Sequence, residues 1–156
     1  MGIKILGTGS SIPKFKMKND DFTKIETSDE WIYTRTGIKE RHFVKNEKTS
    51  DLAYDAAKKA ISDAKIDVSK IKYVICATMT PDTFTPTVAS KILSRLGIQA
   101  MAFDMNVACS GFVYALNVGY HMLKNDECAL IIGAESVSKL LDFQDRSSCV
   151  LFGDAA

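Results

Sequence analysis

Residues 71–79, 100–105 and 127–134 are apolar runs that do not alternate with polar residues, and stretches of helical length and helical periodicity separate them. A strand that is apolar at every position buries both faces. That happens in a parallel sheet covered by helices on its two sides, and parallel neighbours need a crossover of a dozen or so residues between them. Residues 86–96, closed by Gly97, and residues 109–124 supply such crossovers. A shorter run at 3–6 reads as another buried strand, leaving through a tight turn at 7–13. A helix capped by Ser50 and Asp51 runs to about residue 65, with Leu52, Ala53, Ala56, Ala57, Ala60, Ile61 and Ala64 as its apolar stripe. The order β-α-β-α-β-α-β predicts an α/β domain with a largely parallel sheet. In the 109–124 helix, Phe112, Val113, Ala115, Leu116, Val118, Met122 and Leu123 cover more than one face, so this helix is expected to be buried in the middle of the molecule. Residues 135–145 read as a loop or short helix and 148–152 as the start of a further strand. Residues 19–43 fit neither a clean helix nor a strand and read as an insertion with a function of its own.

The chain of 156 residues is long enough for one good core, and its 46% apolar and 25% charged content argues against disorder. Twenty Lys and Arg against 19 Asp and Glu leave no bulk charge to draw a nucleic acid or a membrane surface. The N-terminus enters an apolar run without a basic region, a long apolar stretch or a cleavage site, which points to a cytoplasmic protein. Gly7 and Gly9 suggest a dinucleotide-binding turn, yet the third glycine position holds Ile12, and Pro13 with the Lys-rich segment after it disfavours an immediate helix.

Four cysteines are widely spaced with no Cys-x-x-Cys pair, so neither a zinc site nor a disulfide scaffold is indicated, and no metal is expected. Cys76, Cys128 and Cys149 lie within apolar runs and read as small core residues. Cys109 differs, because it stands where the strand at 101–105 gives way to a helix. A thiol in the first turn of a helix meets unpaired N–H groups and the positive end of the helix dipole, which favour the thiolate. Ala108, Ser110 and Gly111 add little bulk around the sulfur, so a thioester carbon has access and a backbone N–H can point at its oxygen.

With these residues in view, the chain resembles the β-ketoacyl-acyl-carrier-protein synthase III enzymes of the thiolase superfamily. The resemblance rests on Gly7-Thr-Gly9-Ser with Pro13, Thr27-Ser-Asp-Glu-Trp31-Ile, Thr34-Arg-Thr-Gly-Ile38 with Glu40-Arg-His42, Ala108-Cys-Ser-Gly-Phe112 and Phe152-Gly-Asp-Ala, in the family's order and spacing. It implies a thiolase-like fold in which residues 1–156 form the N-terminal βαβαβαβ half of a five-layer α-β-α-β-α architecture. It also implies that Cys109 takes an acyl group from acyl-CoA as a thioester. Decarboxylation of malonyl-acyl carrier protein then yields a carbanion that attacks this thioester, and the Cys109 N–H serves as one oxyanion donor. By the same resemblance Trp31 and Arg146 flank the adenine of CoA, with Thr27 and Arg35 nearby. An indole face and a guanidinium plane suit a purine, and Arg suits phosphate. Acyl-CoA is then a substrate, no cofactor is called for, and a homodimer is implied.

The family's catalytic His and Asn fall outside residues 1–156. His121 follows Cys109 by 12 positions on one helix, about 18 Å along the axis and about 120° around it, out of reach of the sulfur. His42 reads as structural. Thr85 stands where many relatives carry an aromatic residue in the partner subunit's acyl pocket, which suggests room for a longer or branched primer. Two other readings remain at this level: a related condensing enzyme of polyketide or hydroxymethylglutaryl-CoA type, and a non-catalytic acyl-CoA-binding or dimerisation half. The Trp31 and Arg35 motifs favour the fatty-acid initiator.

Overall fold

The structure is a computed structural model and describes residues 2–156. Its regular elements are, in chain order, β1 (Phe15–Lys18), α1 (Asp29–Thr36), β2 (Glu40–Phe43), α2 (Thr49–Ala64), β3 (Ile71–Ala77), α3 (Val88–Leu96), β4 (Met101–Met105), α4 (Gly111–Met122), β5 (Cys128–Gly133) and α5 (Arg146–Cys149). Strands β4, β3 and β5 form a parallel sheet in that order, with Ile75 opposite both Phe103 and Ile131.

The central strand β3 explains the layering. Val74 and Cys76 point to one face, where Ala53 and Ala57 of α2, Val88, Ala89 and Ile92 of α3, and Leu130 and Ile132 of β5 pack on them. Ile75 and Ala77 point to the other face and meet Ala115, Val118 and Met122 of α4. Both faces of β3 are thus covered, as its apolar run from Tyr73 to Ala77 requires. Asp104 is the one charge within β4, and its carboxylate accepts the Val88 and Ala89 N–H groups, each at 2.8 Å, so that β4 caps the N-terminus of α3.

A second, smaller unit lies beside the sheet. Strands β1 and β2 pair antiparallel, and Phe22, Ile32, Cys149 and Val150 form a core with Met17, Trp31 and Phe143 against it. Residues 19–43 therefore contain a clean helix, contrary to expectation. Ser28 accepts the Trp31 N–H at 3.1 Å and Gly37, at φ 73°, closes α1 through a bond to Tyr33 O. The caps, not an apolar stripe, define this helix, which is why periodicity missed it.

Three other expectations are corrected. Residues 3–6 form no strand. Ile3, Ile5 and Leu6 are exposed, and the segment after them lies along α2. The Thr8 N–H donates to Asp63, Lys59 donates to Ser10 O, and a Cβ on Gly7 would stand 2.4 Å from the Ala64 nitrogen. The backbone comes so close to the helix that only glycine fits there. Residues 148–152 form no strand either, because the Asp145 carboxylate accepts the Ser147 N–H and the Ser147 and Ser148 hydroxyls and winds the chain into α5. Helix α4 is not enclosed. Phe112, Val113 and Tyr114 are 47%, 64% and 53% exposed, since only one face of α4 rests on the sheet.

Candidate active site

Between β4 and α4 the chain reverses within a few residues. Ala108 adopts φ 45°, in the left-handed region that a side chain disfavours, and residues Ala108–Ser110 form a 3-10 turn. The Ser110 N–H donates to Val107 O at 3.1 Å and the Gly111 N–H to Ala108 O, so the Cys109 N–H lies outside these turn bonds. Cys109 is exposed at the crest of the turn.

Small residues let this turn sit close to the sheet. A Cβ on Gly111 would stand 3.0 Å from the Ala77 side chain, and one on Gly133 would stand 3.3 Å from the Phe112 ring. Beside the thiol is a cleft of about 320 Å³ whose lining includes Ala77, Cys109, Phe112, Gly133, Glu135 and Gly153. The segment 152–155 is brought there by Asp154, which is buried and accepts the Val44 and Ser138 N–H groups, each at 2.8 Å, and the Ser138 hydroxyl. Glu135 and Ala155 complete the attachment with paired backbone bonds. A groove of about 580 Å³ beside α2, lined by Thr8, Lys58, Lys59, Ser62 and Asp63, contains no thiol.

The other thiols differ from Cys109. Cys76 is fully buried, and burial, followed by the charges of Asp104, Glu135 and Asp82, pushes its pKa far up. Burial and Asp145 also raise Cys149, with Arg41 pulling the other way. Cys128 is half-buried. Glu135 faces the cleft, but its two carboxylate oxygens already accept the Met79 N–H at 2.8 Å and the Thr80 hydroxyl at 2.6 Å. His121 bonds through Nδ1 to Asn117 O, and His42 Nδ1 lies 2.5 Å from Pro13 O. Among the described residues neither histidine lines the cleft, in keeping with the structural reading of His42.

The other four candidate residues gather on the smaller unit. Arg35 and Arg146 place their Cζ atoms 4.4 and 4.3 Å from the Trp31 ring centroid. Arg35 also donates to Trp31 O, and Arg146 donates to Glu26 O at 2.8 Å. The next residue, Thr27, has a buried hydroxyl oxygen with no hydrogen-bond partner among the described residues. Trp31 is thus flanked by two guanidinium groups, an arrangement suited to a flat or anionic group, while the Thr27 hydroxyl is shielded from solvent. Thr85 joins Pro86 through a cis peptide, and Phe84 beside it is 97% exposed.

Sequence reasoning gave no role of their own to Asp104, Arg41, Asn19 and Asp154, whose side chains tie separate segments together by hydrogen bonds. Asp104 had a visible signal, a lone carboxylate in an apolar strand. Asp154 had the same signal, a lone carboxylate in Leu151-Phe-Gly-Asp-Ala-Ala156, whereas Asn19 and Arg41 lie among polar neighbours that give no sign of burial.

Residues 103–156 match the family model described as 3-oxoacyl-[acyl-carrier-protein (ACP)] synthase III. The chain is 50% identical to a β-ketoacyl-[acyl-carrier-protein] synthase III of Clostridium perfringens over 98% of its own length and 48% of that protein's. It is 52% identical to the enzyme of the same name from Ehrlichia canis, over 97% of its own length and 49% of the relative's. Among solved structures, 3-oxoacyl-[acyl-carrier-protein] synthase III from Aquifex aeolicus superposes with a TM-score of 0.92 at 42% identity, covering 99% of this chain and 51% of that one. The priming β-ketosynthase of the R1128 polyketide pathway superposes with a TM-score of 0.91 at 32% identity, covering 97% and 47%. The chain spans about half the length of the curated relatives it matches. By sequence and by its thiolase-like fold, the chain is similar over nearly its whole length to one half of 3-oxoacyl-[acyl-carrier-protein] synthase III enzymes.

Proposed function

We propose that the protein carrying this chain is an acyltransferase that starts fatty-acid synthesis, condensing an acyl-CoA primer with malonyl-acyl carrier protein. Cys109 is the nucleophile. Its thiolate attacks the thioester carbonyl of acyl-CoA, the C–S bond to CoA breaks, CoA leaves as a thiol after taking a proton, and the acyl group stays on the sulfur. The Cys109 N–H donates to the oxyanion that forms in between. Malonyl-acyl carrier protein then loses carbon dioxide, the electron pair of the broken C–C bond attacks the acyl-Cys109 carbonyl, and Cys109 leaves as thiolate. The product is 3-oxoacyl-acyl carrier protein. The His and Asn that assist the second half-reaction are assigned, by resemblance, to sequence beyond residues 1–156.

Trp31, Arg35, Arg146 and Thr27 form the CoA site in this reading. Acyl-CoA is a substrate, and the chemistry calls for no metal or prosthetic group. A cytoplasmic homodimer is part of the same proposal. The exposed apolar face of α4 supports a covering layer over it, and no helix of the described residues is long and apolar enough to cross a membrane.

The observation that carries the proposal is the exposed thiol of Cys109 at a strained turn, opening on a cleft walled by small residues. Incubating the purified protein with acetyl-CoA should add one acetyl group, and peptide mapping should place it on Cys109. Absence of the adduct with acetyl-CoA and with longer primers would overturn the proposal. A second reading, a polyketide-type priming condensation, draws support from the likeness to the R1128 priming enzyme. Comparing primers separates the two, with strong preference for acetyl-CoA favouring the fatty-acid initiator.

A further inference from the structure

Arg41 is the most buried cation of the described residues, only 5% exposed, and no carboxylate touches it directly. Its Nη2 donates to Asn19 Oδ1 at 2.8 Å and to Val150 O at 3.0 Å, its Cζ lies 4.8 Å from the Phe22 ring centroid, and its buried Nε has no partner. Asn19 is 1% exposed and spends its amide on the other side, donating to Asp29 Oδ1 at 2.8 Å and to Ile38 O at 2.7 Å. Burying a guanidinium on neutral acceptors is costly, and an apolar side chain of similar volume would pack there at less cost. What the pair achieves is a connection. Asp29 opens α1, Ile38 follows its C-terminal Gly37, and Val150 caps the C-terminus of α5. One continuous hydrogen-bonded path therefore runs from both ends of the helix that carries Trp31 and Arg35, through Asn19 and Arg41, to the end of the helix that begins with Arg146.

We propose that Arg41 and Asn19 are positioning residues that set the spacing between Trp31 and Arg146, and so determine how tightly the nucleotide part of acyl-CoA is held. This rests on the CoA site proposed above. Neither residue touches the reacting atoms, and their influence falls on nucleotide binding rather than on the chemistry at Cys109.

The test uses the full-length protein, three single variants and one double variant. Asn19→Asp keeps an acceptor for Arg41 but loses both donations to the α1 side and sets a carboxylate against Asp29. Arg41→Met fills the space without the connection. Arg146→Ala removes the stacked cation itself. Isothermal titration with CoA and the rate of Cys109 acylation are read together, the latter with acetyl-CoA and with the nucleotide-free thioester acetyl-S-N-acetylcysteamine. Asn19→Asp and Arg41→Met are expected to weaken CoA binding by about tenfold. Both should acylate from the nucleotide-free thioester at the parent rate, which a generally damaged fold would not do. In an Arg146→Ala background Asn19→Asp is expected to add less than about twofold, because the two changes act on the same spacing. Parent-like CoA affinity in Asn19→Asp, or full additivity with Arg146→Ala, overturns the proposal. If Arg41→Met fails to fold, Asn19→Asp decides alone. Failure of the parent protein to bind CoA at all would overturn the CoA site itself, an outcome distinct from the other two.

Discussion

The guanidinium of Arg146 lies over the indole of Trp31, with 4.3 Å between Cζ and the ring centroid, and this contact joins α5 to α1. It closes the gap that a purine would enter. A flat ring sandwiched between the two groups needs about 7 Å, two stacking distances of about 3.5 Å, so the Arg146 side chain must swing away from Trp31 before a base can lie there. Its restraint is light, since Arg146 is an exposed side chain held by one bond to Glu26 O. Truncation to Arg146→Ala should cost CoA affinity about tenfold, the range of a partly desolvated cation–π contact, and Arg146→Lys should restore little because an ammonium has no plane to stack. Calorimetric titration checks this, and equal affinities in parent and Arg146→Ala would remove Arg146 from the site.

The four thiols differ enough in environment for their reactivity to be ranked. Iodoacetamide at neutral pH should label Cys109 first, Cys128 more slowly, and Cys76 and Cys149 only on unfolding, since both are fully buried and both have pKa values raised by burial. Timed mass mapping of the peptides reads the order. Labelling of Cys76 at a rate similar to Cys109 in folded protein would contradict the placement of β3 at the centre of the sheet.

Periodicity and unbroken apolar runs found β3, β4, β5 and the helices between them, because those elements owe their form to the core they share. The order of residue types also pointed to Cys109 before any geometry was known. Other features depend on contacts that periodicity does not encode. Helix α1 is made by Ser28 and Gly37 at its ends, and α5 by the Asp145 carboxylate. Residues 3–6 pair with no strand of the described residues, and the close contacts to α2 are made by the residues that follow them. Arg41 and Asn19 look like ordinary surface residues until the fold closes over them, so the hydrogen-bonded path they make between α1 and α5 was not legible.

Acid should loosen the start of α2. Asp82, only 7% exposed in its side chain, accepts the Ser50 N–H and pairs with Lys91 at 3.1 Å. Burial pushes its carboxyl up, but the bonds to Ser50 and the Lys91 ammonium outweigh that and hold it below the ordinary 3.8. A carboxylate whose pKa is depressed by folding stabilises the fold fully above its unfolded value and loses that contribution as pH falls through the folded one. Asp82→Asn should therefore be less stable than the parent at neutral pH, by about 1.5 kcal/mol on the scale of a charge-assisted hydrogen bond, and the difference should shrink below pH 3.8. Denaturant titrations across that range measure it, and a gap that stays constant with pH would show that Asp82 does not titrate in this way.

Ala108 offers the sharpest test of the turn that presents Cys109. Its φ of 45° costs about 1 kcal/mol for a residue with a Cβ. Glycine removes that strain but adds about 0.4–1 kcal/mol of unfolded-chain freedom, so Ala108→Gly should leave the melting temperature nearly unchanged. Valine cannot take this conformation without a far larger penalty, because a β-branched side chain at positive φ is an outlier. Ala108→Val is therefore expected to lower stability by about 2 kcal/mol or more, or to push the turn into a different shape. The two variants separate strain from positioning. Ala108→Gly, equally stable but with a freer turn, should acylate Cys109 severalfold more slowly, since a nucleophile held less tightly spends less time aligned with the thioester. Ala108→Val should lose both stability and acylation. Calorimetric melting and the rate of acetyl transfer from acetyl-CoA read the two effects on the same samples, and an Ala108→Val protein as stable and as reactive as the parent would show that the chain does not make its reversal at this residue.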